Sequence, residues 1–213
     1  MSKGRLEAFS DGVLAIVITI MVLGLSPPPS AAFSALFHEW RRFAIYALSF
    51  TYVGIYWNNH HHTFQATRVI DSRVLWANLH LRFWLSLVPF SSDWMGEHHF
   101  DRAPTIVYAF NMLACAIAYT IMLLTLIGSH GRDSHLARAI GNDRKGKLSV
   151  ALYVGAILCA WLVTPLLGFA LTVVPALIWL VPDRRMERAM RLAAEDARLP
   201  RHPLERGDPG IGG

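Results

Sequence analysis

Charge is what this chain has least of. Only 16% of its 213 residues are Asp, Glu, Lys or Arg, against about 25% in an average soluble domain, while 54% are hydrophobic. That shortage excludes an ordinary water-covered globule. Cysteine is nearly absent: Cys115 and Cys159 both lie inside apolar stretches, which rules out a disulfide framework and suits small buried side chains. No nucleotide-binding glycine loop, nucleophile elbow or zinc-protease motif occurs, so ATP-driven work and the common covalent mechanisms lack their usual equipment. No small-residue cleavage site follows the first apolar run. Pro27-Pro28-Pro29 stands there instead, and the run is expected to stay in the mature protein. No internal repeat is visible.

Long apolar runs are present in their place. A spanning helix needs about 20 mostly apolar residues, and the chain offers several such stretches. From Gly12 to Leu25 there is no charged side chain, and Thr19 carries the only polar side chain. The three prolines end this first span. Ala31 to Phe37 reads as a short apolar linker, and a second helix follows Glu39, Arg41 and Arg42 to about Phe64. A third span runs from about Val74 to Val88 and closes at Pro89, with Asp93, Glu97, His98 and His99 in the loop beyond. Pro104 suits the first turn of a fourth helix reaching Gly128. The run from Leu148 to Leu180 is too long for one ordinary crossing, and Pro165 and Gly168 divide it into spans five and six.

Charge placement orients the whole. The formal charge of +5 is not gathered on a soluble patch, which argues against a nucleic-acid partner. Lys3, Arg5, Arg68, Arg73, the basic residues between Gly131 and Lys147, and the tail all fall on one side of a six-span arrangement. The other side has Arg41, Arg42 and Arg102 against Glu39, Asp93, Glu97 and Asp101. That asymmetry puts both termini in the cytoplasm. The expected division is a six-span membrane domain over residues 1–182 and a charged cytoplasmic tail over 183–213, partly disordered because its end is rich in Pro and Gly.

Ionisable groups inside a bilayer are expensive and mark functional sites by default. Asp11, His80 and Arg82 lie deepest, with Asn78 and Asn111 adding amides. At about 100° per residue, Phe9, Gly12, Ile16, Thr19, Ile20 and Leu23 share one face of the first span. Ser10 and Asp11 fall on other sides, at about +120° and −140° from Ile16. Asp11 is then either a helix-start acid favourable to the dipole or part of a buried polar lock with spans two or three. The Ile16 face can pack against helix or lipid, or gate a channel by dewetting. His60-His61-His62 invites a metal reading, but neighbouring helix positions point apart and too few histidines share one side of the membrane. Polar packing or protonation accounts for them better, and no metal or other cofactor is expected.

Arg5-x-x-x-Phe9-Ser10-Asp11 followed by a long span resembles the signature of the transmembrane protein 175 family of potassium channels. YALSFTYVGIYWNNHH and DSRVLWANLHLRFWLSLVPF are similar to that family's second and third helices. The resemblance covers about the first ninety residues and is architectural after that. It implies an all-α, tetrameric channel in which the first helices of four subunits surround the axis. The constriction would be bulky aliphatic side chains, here Ile16, Ile20 and Leu23, with Thr19 as the threonine proposed to influence potassium selectivity. Arg5, Phe9, Ser10 and Asp11 would lock the first span to its neighbours, joined by Trp57, His61 and Asn78. Which of the three adjacent histidines corresponds stays open. The chain has no TVGYG segment, so a filter of backbone carbonyls of the usual kind is excluded.

The resulting expectation is a multi-pass cell-membrane protein, not an enzyme. It would be a homotetramer conducting potassium ions passively in the lipid bilayer. Two rivals remain: a proton channel or proton-coupled transporter using Asp11, His80 and Arg82, and a membrane enzyme with a histidine-bound metal.

Overall fold

The computed structural model describes residues 3–65, 67, 70–130 and 143–181. Among these, regular structure is entirely helical: α1 Lys3–Leu23, α2 Phe33–His38, α3 Trp40–Gln65, α4 Ser72–Ser86, α5 Val88–Glu97, α6 Arg102–His130, α7 Arg144–Leu162 and α8 Pro165–Leu180. α1, α6 and α7 are long and apolar enough to cross a membrane, and α8 is a shorter apolar helix.

Several ends follow directly from local chemistry. Asp71 caps α4 by accepting a bond from the Val74 N–H at 2.9 Å, and Asp143 caps α7 through the Gly146 N–H at 2.9 Å. Thr164 does the same for α8 through the Leu167 N–H, and Pro165 occupies its first turn. The long apolar run therefore breaks between Leu162 and Pro165, at the proline where the sequence divides it.

Three boundaries differ from expectation. Residues 33–38 coil into α2 instead of a plain linker. The third segment does close just before Pro89, with α4 ending at Ser86, but no loop follows: a proline lacks only an N–H that the first turn leaves unpaired anyway, so Pro89 sits in the first turn of α5. Asp93 and Glu97 consequently sit on a helix, not in a loop. α7 begins at Arg144, so its first turn is basic where an apolar start at Leu148 is expected. The tail from residue 183 and most of the basic loop lie outside the described residues.

α1 lies against α3, α4 and α5, while α7 and α8 form a hairpin packed on α6. Gly168 makes that hairpin tight. A Cβ there would stand 2.6 Å from Ala160 Cβ and 2.7 Å from the Ala156 carbonyl oxygen. Close backbone approach through small residues drives helix association where lipid removes the hydrophobic term. Hydrogen bonds between helices do the rest. Ser49 Oγ and Tyr108 Oη are 3.1 Å apart between α3 and α6, and Asn111 donates to Ser91 Oγ at 3.0 Å between α6 and α5. Tyr52 Oη donates to the Thr172 carbonyl, joining α3 to α8.

Candidate functional site

α1 carries two surfaces. Leu6, Ser10, Leu14, Val17 and Met21 recur at helical spacing and are buried against the bundle. Ile16, Ile20 and Leu23 lie on the opposite side and are 58%, 48% and 78% exposed in the single chain. Phe9 is half-exposed, and Thr19 is exposed on the same side. The Thr19 hydroxyl donates to the Ile16 carbonyl at 2.9 Å. Its proton is thereby committed to the helix, and its remaining lone pairs point outward as acceptors.

Ser10 sets the rotation of α1. It is fully buried and meets Asn78 of α4, whose Nδ2 donates to Ser10 Oγ at 3.1 Å. The Asn78 amide oxygen stands 2.9 Å from His60 Nε2 on α3. Because the asparagine nitrogen is spent on Ser10, its oxygen must accept, so His60 carries its proton on Nε2. One asparagine thus joins α1, α3 and α4. His60 is also stacked on Phe64 with ring centroids 4.3 Å apart.

Asp11 is tied separately. Trp57 Nε1 donates to Asp11 Oδ1 at 3.0 Å, and His61 stacks on the Trp57 ring at 6.0 Å. His61 takes no part in the asparagine relay; its Nε2 bonds Gln65 at 2.8 Å. Arg5 is exposed and has no hydrogen-bond or ion-pair partner among the described residues of the single chain. The histidine that joins Asn78 is therefore His60, which neighbour-by-neighbour reading of the sequence does not separate from His61. A signal exists nonetheless. The buried stripe of α3 runs through Ser49, Tyr52, Val53, Tyr56, His60 and Thr63, and His61 falls off it.

Beside the exposed face of α1 opens a cleft of about 570 Å³, bordered by Ile16, Ile20 and Leu23 on one wall and by Ser86, Phe90 and Asp93 on the other. The Asp93 carboxylate abuts the end of α1: a Cβ on Gly24 would lie 2.6 Å from its Oδ1. No group of three or more His, Cys, Asp or Glu side chains among the described residues is arranged to hold a metal ion. The histidine triplet is engaged instead by Asn78 and Gln65 and by ring contacts.

The same helices are what known proteins share with this chain. Residues 5–89, which hold α1, α3 and α4, match the profile of the family described as endosomal/lysosomal potassium channel TMEM175. A potassium channel of Chryseobacterium sp. (strain P1-3) is 46% identical over 191 residues, covering 90% of this chain and 99% of the relative. The endosomal/lysosomal proton channel TMEM175 of Homo sapiens is 38% identical over 86 residues, 33% of this chain and 17% of that protein. The crystal structure of a lysosomal potassium-selective channel TMEM175 homolog from Chamaesiphon minutus superposes with a TM-score of 0.74 at 27% identity, over 85% of this chain and 97% of that one. Since the bacterial relative aligns along nearly its whole length, the chain belongs to the TMEM175 family.

Proposed function

We propose that the chain is a passive, potassium-selective channel of the cell membrane, built as a homotetramer with α1 of each subunit around the axis. Each subunit would cross six times, by α1, α3, α4 continued by α5, α6, α7 and α8, with both termini cytoplasmic. Ile16 is the narrowest hydrophobic layer, Ile20 and Leu23 extend it outward, and Thr19 offers oxygen ligands beside it. Potassium is the permeant ion, and no cofactor or covalent step is required.

One observation carries this reading. α1 leaves an uninterrupted aliphatic line, Ile16, Ile20 and Leu23, unburied within the subunit while polar bonds on its opposite side fix its rotation. A helix held so firmly by one face and left bare on the other has a defined surface to present. The potassium-channel naming of the bacterial relative supports the choice of ion.

Purified protein in liposomes tests it, with flux driven by potassium or by sodium gradients. Faster potassium than sodium flux is expected, without saturation or counter-ion coupling. Ile16→Asn removes the dewetting barrier and is expected to raise flux and weaken selectivity; unchanged currents would remove Ile16 from the gate. A proton channel is the second reading, favoured by the human relative's name and by the ionisable groups around α1. A pH-gradient arm of the same assay decides it, because a proton pathway acidifies the lumen without potassium movement.

A further inference from the structure

Arg82 and Asp93 both carry charge without a partner, and only one of them can meet an ion. Arg82 of α4 is sealed within the subunit, 2% exposed, and its guanidinium nitrogens lack an acceptor among the described residues. Asp93 of α5 is exposed. No hydrogen bond or ion pair reaches its carboxylate from the described residues. Arg42 lines the same small crevice as Asp93 but is ion-paired with Glu39, at 3.4 Å.

Two neighbours give the open carboxylate a direction. On one side it meets the end of α1. Gly24, the residue after Leu23, has no side chain, and Asp93 fills the place where one would stand: a Cβ there would lie 2.6 Å from Oδ1 and 3.0 Å from Cγ. The end of α1 carries the negative pole of its helix dipole, with no basic residue in the last turn to offset it. Two negative groups are thus held against each other, an arrangement that favours a cation beside them and disfavours an anion. On the other side the carboxylate borders the cleft lined by Ile16, Ile20 and Leu23, one turn beyond Phe90. The aliphatic line ends where the charge begins.

We propose that Asp93, seated against the C-terminal turn of α1, is a specificity-determining residue that draws cations to the outer mouth of the aliphatic constriction and turns anions away. The proposal rests on the reading that α1 lines a cation pathway. Aliphatic side chains carry no charge with which to tell a cation from an anion, so Asp93 supplies a choice that Ile16, Ile20 and Leu23 do not. Each subunit contributes one carboxylate, and their fields add at the axis.

Asp93→Asn keeps the shape and removes the charge, while Asp93→Glu keeps the charge. In liposomes at about 0.01 M potassium chloride, charges act over about 30 Å. There Asp93→Asn is expected to slow potassium flux about threefold or more, and Asp93→Glu to stay within about twofold of the native rate. At about 1 M, where the range is about 3 Å, the native protein and Asp93→Asn should converge. The chloride-to-potassium flux ratio should rise in Asp93→Asn and not in Asp93→Glu. Glu97→Gln, one turn further along α5 and off the cleft wall, is the control and should change the low-salt rate by less than half as much. Equal effects of Asp93→Asn and Glu97→Gln overturn the proposal, as does an unchanged low-salt rate or an unchanged chloride ratio. A loss of the same size at both salt concentrations marks a structural role and also overturns it. If the native protein passes no ion, the proposed function falls, and melting in detergent decides Asp93 separately. Salt screens the repulsion between Asp93 and the end of α1, so the rise in melting temperature from low to high salt must be larger in the native protein than in Asp93→Asn. Equal rises overturn the electronegative mouth.

Discussion

Asn78→Leu tests how the first helix is held. The native amide donates to Ser10 Oγ at 3.1 Å and accepts from His60 Nε2 at 2.9 Å, both buried. Leucine fills a similar volume and removes both bonds. It also strands the Ser10 hydroxyl and the His60 N–H, in a region where no water replaces the partner. Interhelical hydrogen bonds in membranes average about 0.6 kcal/mol and reach about 1.7. Stranded buried groups add to the loss at about 1–3 kcal/mol each. A total of about 2–4 kcal/mol is expected, which for a domain of this size corresponds to a fall of roughly 5–15 °C in melting temperature.

Detergent-solubilised protein followed by heat and by size exclusion gives that number. Potassium flux in liposomes gives the functional one. With its rotation unfixed, α1 no longer presents Ile16 reliably, so selectivity should fall further than the total flux. Ser10→Ala, which removes only one bond and strands less, should cost about half as much. If Asn78→Leu melts within about 1 °C of the native protein, a shift below that of a single lost bond, the relay does not hold α1 and the reasoning fails.

Three further outcomes are expected. Thr19→Val removes the outward lone pairs without altering the backbone, so the potassium-to-sodium ratio should drop while melting is unchanged; Thr19→Ser, which keeps the oxygen, should retain the ratio. Gly168→Val drives side-chain atoms into Ala156 and Ala160 and should destabilise the α7–α8 hairpin by about 1–3 kcal/mol, read as a lower melting temperature with native ion selectivity in the protein that survives. The Asp71 carboxyl is held below its ordinary value of 3.8 by the Val74 N–H first and the Ser129 hydroxyl second. Its folded value is the lower one, so its contribution is present above about pH 4 and disappears as pH falls through the folded value. The stability gap between native protein and Asp71→Asn should accordingly be constant at neutral pH and close in acid.

Much of α1 is legible in the sequence. Fourteen residues from Gly12 to Leu25 with one side-chain hydroxyl leave little freedom for anything but a spanning helix, and the angular separation of Ser10 from Ile16 is fixed by helix geometry alone. The break at Pro165 is legible for a similar reason, since proline and a preceding threonine form a helix start. Other features depend on partners far along the chain. His60 and His61 are adjacent and chemically identical, and only the neighbouring stripe of Ser49, Tyr52, Tyr56 and Thr63 separates the one facing Asn78 from the one facing Trp57. Pro89 is compatible with ending one helix or beginning the next, and its own residue type does not choose. The isolation of the Arg82 guanidinium is a statement about what surrounds it, which periodicity cannot supply.

Exposure alone does not mark α1 out, because lipid-facing and axis-facing surfaces are both apolar. The composition of each bare surface separates them. From Leu148 to Val163 on and just past α7, the exposed side chains are Leu148, Ala151, Val154, Leu158, Trp161, Leu162 and Val163. On α8 they are Leu166, Leu167, Ala170, Val174, Leu177 and Leu180, again without one hydrogen-bonding side chain other than the Trp161 indole on its neighbour. Those faces suit lipid, where any unpaired polar group is costly, and an indole suits the interface. The bare side of α1 instead carries Thr19 and two places without bulk, Gly12 and Ala15, beside its large aliphatics, and the cleft next to it admits Ser86 and Asp93. Lipid gives such groups no partners. Water, ions or a second copy of the chain do, which supports the proposed place of α1 around the axis and suits the bare faces of the α7–α8 hairpin to lipid.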